Sequence, residues 1–223
     1  MPVARGAKHE LTGIVYDECI ATKFQICKHP CIGDCEEISV REIRDITRWL
    51  NRKEFHKFKL IDVEYMDIYF EASFNVNKIE FCGKTYGLEL EMITNRPYAL
   101  HEPIYLTIRN SQENGKKSIS SLSDEVGHIY PEMEIHVEQD GDLEIYNSLE
   151  NRTMRIANCT QGEIIRLKYP MINTSVSSHK IQNDYNWKFF RIANTFSERV
   201  NEITISLPCT IKIKYSPIVK ISI

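Results

Sequence analysis

Residues 141–169 read Gly-Asp-Leu-Glu-Ile-Tyr-Asn-Ser-Leu-Glu-Asn-Arg-Thr-Met-Arg-Ile-Ala-Asn-Cys-Thr-Gln-Gly-Glu-Ile-Ile-Arg-Leu-Lys-Tyr. Leu143 and Ile145 stand two apart, as do Met154 and Ile156, and Ile164–Leu167 is a compact, mostly apolar run. Side chains two apart share one face of a strand, so the stretch reads as short strands joined by tight turns. Gly141 and Gly162 are turn glycines, not a phosphate cradle. The stretch offers no acid/base pair and no setting for a nucleophile.

The pattern continues on both sides. Upstream, Met133, Ile135 and Val137 alternate with Glu134, His136 and Glu138, and Asp140-Gly141 reads as a hairpin turn into Leu143. Asn114-Gly115 is another turn signal, placed after a strand at Ile104–Ile108. Downstream, Phe189–Ile192, Ile203–Leu207 and Ile211–Tyr215 read as strands. Strands recurring roughly every 10 residues predict a β-sandwich over 101–223. The segment Thr94–Pro103 carries two prolines and polar residues, and the expected domain boundary lies there, giving domains 1–100 and 101–223.

The first hundred residues are also mainly β, with one helix. Residues 11–29 read as extended. Ser39 can cap a helix over 39–50, with Glu42 completing a capping box and Ile38 and Ile43 forming a hydrophobic staple. Val40, Ile43, Ile46, Thr47 and Leu50 form one apolar stripe bordered by Trp49, and Asn51 is the expected stop. Strands are expected at Lys59–Val63, Ile68–Phe74 and Tyr86–Ile93, which are rich in β-branched and aromatic residues.

Composition narrows the function. The chain of 223 residues has a formal charge of −3, and its basic residues are scattered, which argues against non-specific nucleic-acid binding. No window approaches the ~20 apolar residues of a membrane span. Met1–His9 lacks the apolar core of a secretory signal, and the chain enters strand-like sequence soon after, as a chain that has lost an opening segment would. Of the seven cysteines, Cys19, Cys27, Cys31 and Cys35 crowd the start, and without an export signal reduced thiols are expected.

Each chemical candidate has a plainer reading. Cys27, His29, Cys31 and Cys35 could surround zinc, but the spacing departs from the usual two-residue gap, and Pro30 and Gly33 oppose a helix. A cysteine-rich loop is the simpler reading, and no cofactor or metal is expected. Glu132, Glu134, Glu138, Asp140 and Asp142 could supply a glycosidase pair, yet alternation places the glutamates on a solvated face. Tyr185, Trp187, Phe189 and Phe190 could line a sugar site or form core. Asn151-Arg-Thr153 is a glycosylation sequon with no meaning without secretion. No enzyme is expected.

Three groups of segments resemble a known family. The first is Arg41–Leu50 followed by Phe58–Asp62. The second runs from Lys78–Phe81 through Leu88–Met92 to Arg96-Pro-Tyr-Ala99. The third is Arg155–Asn158 and Gly162–Ile165 with Asp184–Trp187 and Ile211–Pro217. In order and spacing they resemble the distal tail proteins of long-tailed bacteriophages, from about Glu37 onward. The family usually has further N-terminal strands, which here are short, and it has no cluster like Cys27–Cys35. The resemblance implies a ring-forming belt domain followed by a galectin-like β-sandwich, acting as a structural baseplate hub in the virion tail. It implies a homohexamer, assembled in the host bacterial cytoplasm, that meets the tail tube protein on one face and a tail-tip hub protein on the other. Receptor-binding proteins would attach at the rim. Ile43, Trp49, Leu60, Phe70, Leu88 and Leu90 are the ring-interface candidates. The alternative is a carbohydrate-binding β-sandwich module using its concave face.

Overall fold

The computed structural model describes residues 19–28 and 37–221. The chain forms two compact units, one running to Leu100 and joined by the chain end from Lys220, the other His101–Val219.

The first unit is a sheet with one substantial helix. Strands β1 (Ala21–Cys27), β2 (His56–Phe58), β3 (Ile68–Phe81), β4 (Lys84–Thr94) and β5 (Ala99–His101) flank or follow helix α1 (Val40–Leu50). The order is β1-β4-β3-β5, with β2 also on β3. Alternation along β3 buries Ile68, Phe70, Ala72 and Phe74, and along β4 Leu88, Leu90 and Met92. Phe58 joins this face edge-on to Phe74, with ring centroids 5.0 Å apart. Lys59–Val63 does not form the expected strand. β2 stops at Phe58, and Val63–Tyr65 is a single 3-10 turn. Lys59, Ile61 and Val63 face solvent, so that alternation never meets a sheet.

The second unit is a sandwich. One sheet orders β11 (Arg152–Cys159), β10 (Gly141–Asn147), β15 (Val200–Ile205) and β7 (Gly115–Ser120). The other orders β13 (Met171–Thr174), β12 (Ile164–Lys168), β9 (Glu132–Val137), β16 (Cys209–Tyr215) and β6 (Ile104–Asn110). A ribbon of β8 (Gly127–Ile129) and β14 (Ile192–Asn194), and a short helix α2 (Ile181–Asp184), complete it. Inward residues of both sheets, among them Ile135, Leu143, Ile145, Ile156, Ile165, Ile205 and Ile211, make one core.

Several turns act differently from their sequence signal. Asp140-Gly141 is not a hairpin, because β9 and β10 lie in opposite sheets and the turn crosses the sandwich. Asn114-Gly115 likewise carries the chain from one sheet to the other. Asn114 has φ +56, and a Cβ on Gly115 would lie 1.8 Å from Asn110 Oδ1, so the position requires glycine. Asn110 is buried there, its Nδ2 donating to the Leu207 carbonyl at 2.7 Å. Of the expected strand Phe189–Ile192, only Ile192 is in a strand, although Phe189 and Phe190 are buried. α2 had no distinctive sequence signal.

Candidate functional site

The first unit carries several large apolar side chains exposed to solvent. Ser39 caps α1. The Glu42 amide donates to Ser39 Oγ, and Glu42 Oε2 accepts from the Ser39 amide at 2.8 Å. The Ser39 hydroxyl, with Lys28 at 2.9 Å, holds the Glu42 carboxyl at about 2. The capping box is thus present and α1 is a defined, oriented helix. Yet no residue of α1 is fully buried. Ile43, Ile46 and Leu50 are half-buried and Trp49 is 66% exposed. Beyond it, Phe55, Ile61, Val63 and Met66 are exposed, Ile61 completely (103%) and Val63 at 85%. Among the described residues, nine of the sixteen large exposed hydrophobics lie in this smaller unit, among them Ile79 and Phe81 at the β3–β4 hairpin.

The six interface candidates divide accordingly. Trp49 is exposed, and Ile43 and Leu60 are half-buried. Phe70, Leu88 and Leu90 are buried within the unit's own sheet, because they fall on the inward alternation of β3 and β4. They have no surface to offer a second copy.

Of the zinc candidates, Cys27 is exposed at the end of β1, while His29, Cys31 and Cys35 lie outside the described residues. Among the described residues no group of three or more His, Cys, Asp or Glu could hold a metal ion. Cys159 and Cys209 are buried in the sandwich, and burial pushes both thiols up to about 12.

The five expected carboxylates do not converge. Asp142 pairs with Arg155 at 2.7 Å and accepts the Asn158 amide. Asp140 accepts the Gln161 amide at 2.6 Å, and Glu138 the Thr210 hydroxyl at 2.8 Å. Glu132 and Glu134 enter a different arrangement on the outer face of the five-stranded sheet. Cross-strand register sets Asn173, Arg166, Glu134, Lys212 and Thr107 in one row. Glu134 accepts from Arg166 at 2.8 Å and from Lys212 at 3.0 Å, and His136 Nε2 lies 2.8 Å away. These contacts, His136 foremost, hold its carboxyl at about 2.

A second row repeats the first. Register places Met171 beside Lys168, and Glu132 beside Lys214 beside Tyr105. Glu132 pairs with Lys168 at 2.7 Å and with Lys214 at 3.2 Å, and its carboxyl is held low, first by Lys168. Both rows line a single concavity of about 530 Å³.

Of the aromatics, Tyr185, Phe189 and Phe190 belong to the core. Trp187 alone is exposed, at φ +58, its Nε1 donating to the Gln182 carbonyl at 3.2 Å. Two buried polar clusters went unnoticed in the sequence. Glu163 accepts from the Thr160 amide at 3.0 Å, from the Thr174 hydroxyl, and contacts His179 Nδ1 at 2.7 Å. His179 Nε2 faces Asp184 at 3.4 Å. Asn201 is fully buried; its Nδ2 donates to the carbonyls of Ile119, Ala193 and Arg199, and its Oδ1 accepts from Asn147 and the Ala193 amide. Both clusters satisfy backbone groups of neighbouring segments and read as architecture.

Residues 2–96 match a family described as a phage tail protein N-terminal domain, and residues 98–215 one described as a phage tail C-terminal domain. The chain belongs to the phage tail proteins. Among solved structures, this tail protein is similar to the crystal structure of Dit (gp 19.1) of phage SPP1, described as a paradigm of the hub adsorption apparatus in phages infecting Gram-positive bacteria. The TM-score is 0.60 at 8% identity, covering 89% of this chain and 79% of that one. The fold is therefore Dit-like and mainly β. No curated protein matches the chain. As a phage tail protein it is a structural component of the virion tail, and no helix among its described residues is long and apolar enough to cross a membrane.

Proposed function

We propose that the protein is the distal hub of the tail, a non-enzymatic ring of six copies between the tail tube and the tail-tip proteins. The observation that carries this reading is the apolar surface left uncovered on the first unit of a Dit-like fold. Trp49, with Phe55, Ile61, Val63 and Met66, presents the kind of surface that closes a permanent interface. A head-to-tail contact repeated around an axis makes a closed ring when the rotation closes, and six is the number the distal-tail resemblance supports. The interface lies on α1 and the 52–67 segment, with Ile43 and Leu60 contributing their half-exposed sides. The second unit, a galectin-like sandwich on this reading, serves the periphery, where receptor-binding proteins attach. Assembly takes place in the host cytoplasm.

Light scattering on the purified full chain tests the proposal. The expected mass is six times the 26.1 kDa protomer. A protomer mass maintained up to high micromolar concentration refutes it.

A further inference from the structure

The outer face of the five-stranded sheet calls for an account that ring assembly does not give. Its two rows have the same order across the strands: a neutral residue, a cation, a carboxylate, a cation, a neutral residue. Arg166 and Lys168 form one cationic rail on β12, and Lys212 and Lys214 form another on β16. The rails stand two strand spacings apart, about 10 Å, with Glu132 and Glu134 on β9 between them. Each carboxylate serves two cations, so the two rows together carry more positive than negative charge. Tyr105, 72% exposed, closes one end of the second row and Met171 the other.

This arrangement selects among occupants. The concavity, about 530 Å³, has room for a small ligand. A purely acidic peptide would meet the cations but be repelled by the central carboxylates. A neutral sugar would satisfy the carboxylates through its hydroxyls but bring no anionic group to the cations of β12 and β16. A ligand with both hydroxyl donors and an anionic group fits all three rails, and an exposed tyrosine suits the apolar face of a pyranose ring. The ion pairs already hold the side chains in place, which lowers the ordering cost of binding.

We propose that this face binds an anionic saccharide. Ring hydroxyls donate to Glu132 and Glu134, the anionic substituent lies against Arg166, Lys168 and Lys212, and one ring packs on Tyr105. The proposal is independent of the hexamer, since every residue it uses lies in the second unit.

Calorimetric titration of the full chain tests it, with trigalacturonate and a sulfated chondroitin tetrasaccharide as probes, and maltotriose and hexaglutamate as controls. The mass of the same samples by light scattering keeps this outcome separate from the ring question. At least one anionic saccharide is expected to bind ten-fold or more tighter than either control, and to weaken as salt is raised. Arg166→Gln with Lys212→Gln is expected to lose that preference ten-fold or more, and Tyr105→Ala to weaken binding several-fold, with melting temperature unchanged. Absence of binding by both anionic probes overturns the proposal. So does equal binding of maltotriose, equal binding of hexaglutamate, or full affinity in the cation variant.

Discussion

Replacing Ile61 and Val63 together by aspartate tests the proposed interface where the protomer's own fold has least at stake. Ile61 is fully exposed and Val63 nearly so, so neither contributes to the core of the first unit. Full burial of an aliphatic side chain is worth about 1.5–3 kcal/mol, so an interface covering both gains at most about 3–6 kcal/mol from them. The two aspartates forfeit that gain and add two desolvated carboxylates. Even one half of the lower bound, about 1.5 kcal/mol per contact, weakens each contact roughly ten-fold, and a ring makes the same contact at every junction. Sedimentation velocity over a hundred-fold concentration range is the assay. The wild-type protein should remain assembled where the double variant has fallen to protomers. Thermal melting of the dissociated protomer should be unchanged, because surface substitutions away from special features stay within about 0.5 kcal/mol. Assembly indistinguishable from wild type would refute the placement. A melting point several degrees lower would show instead that these side chains serve their own fold.

Three further outcomes follow from the geometry. Asn201→Ala strips partners from Asn147 and from the Ala193 amide in the buried interior, and should cost about 2–4 kcal/mol in urea denaturation; a loss below about 0.5 kcal/mol would contradict the network. Burial alone would raise the Glu163 carboxyl, but Thr174, the Thr160 amide and His179 more than offset it and hold it below its ordinary 4.5. Its stabilising contribution is therefore present above about pH 4.5 and lost as pH falls through the lower folded value, so the stability gap between wild type and Glu163→Gln should be widest near neutrality and close on acidification. A gap that widens below pH 4.5 would mean the sign is wrong. Under native conditions a thiol reagent should label Cys19, Cys27 and Cys82 and spare Cys159 and Cys209, read by peptide mass spectrometry; rapid labelling of Cys209 would show the sandwich opening.

What could be read directly from residues was local. Ser39 with Glu42 announced a capping box because both partners sit within one helical turn, and the hydrogen bonds are there. Met133, Ile135 and Val137 alternate with polar neighbours, and their burial follows that alternation. Where the outcome depended on a distant partner, the reading failed. Asp140-Gly141 carries a hairpin signal, but nothing local says that β9 and β10 will join opposite sheets. Lys59–Val63 alternates like a strand, but no strand forms there. Hydrophobicity likewise does not distinguish Phe70, which fills the protomer's core, from Trp49, which stands on its surface. The two rows of the outer face were invisible for the same reason. Glu134 read as a solvated residue and Lys212 as a scattered base, and only the register among β9, β12 and β16 brings them together with Arg166.

The most direct measurement of the hub is the shape of the assembled particle. Negative-stain class averages of the full chain should show annular particles with six-fold symmetry. Averages containing only isolated protomers, or open filaments that never close, would contradict it.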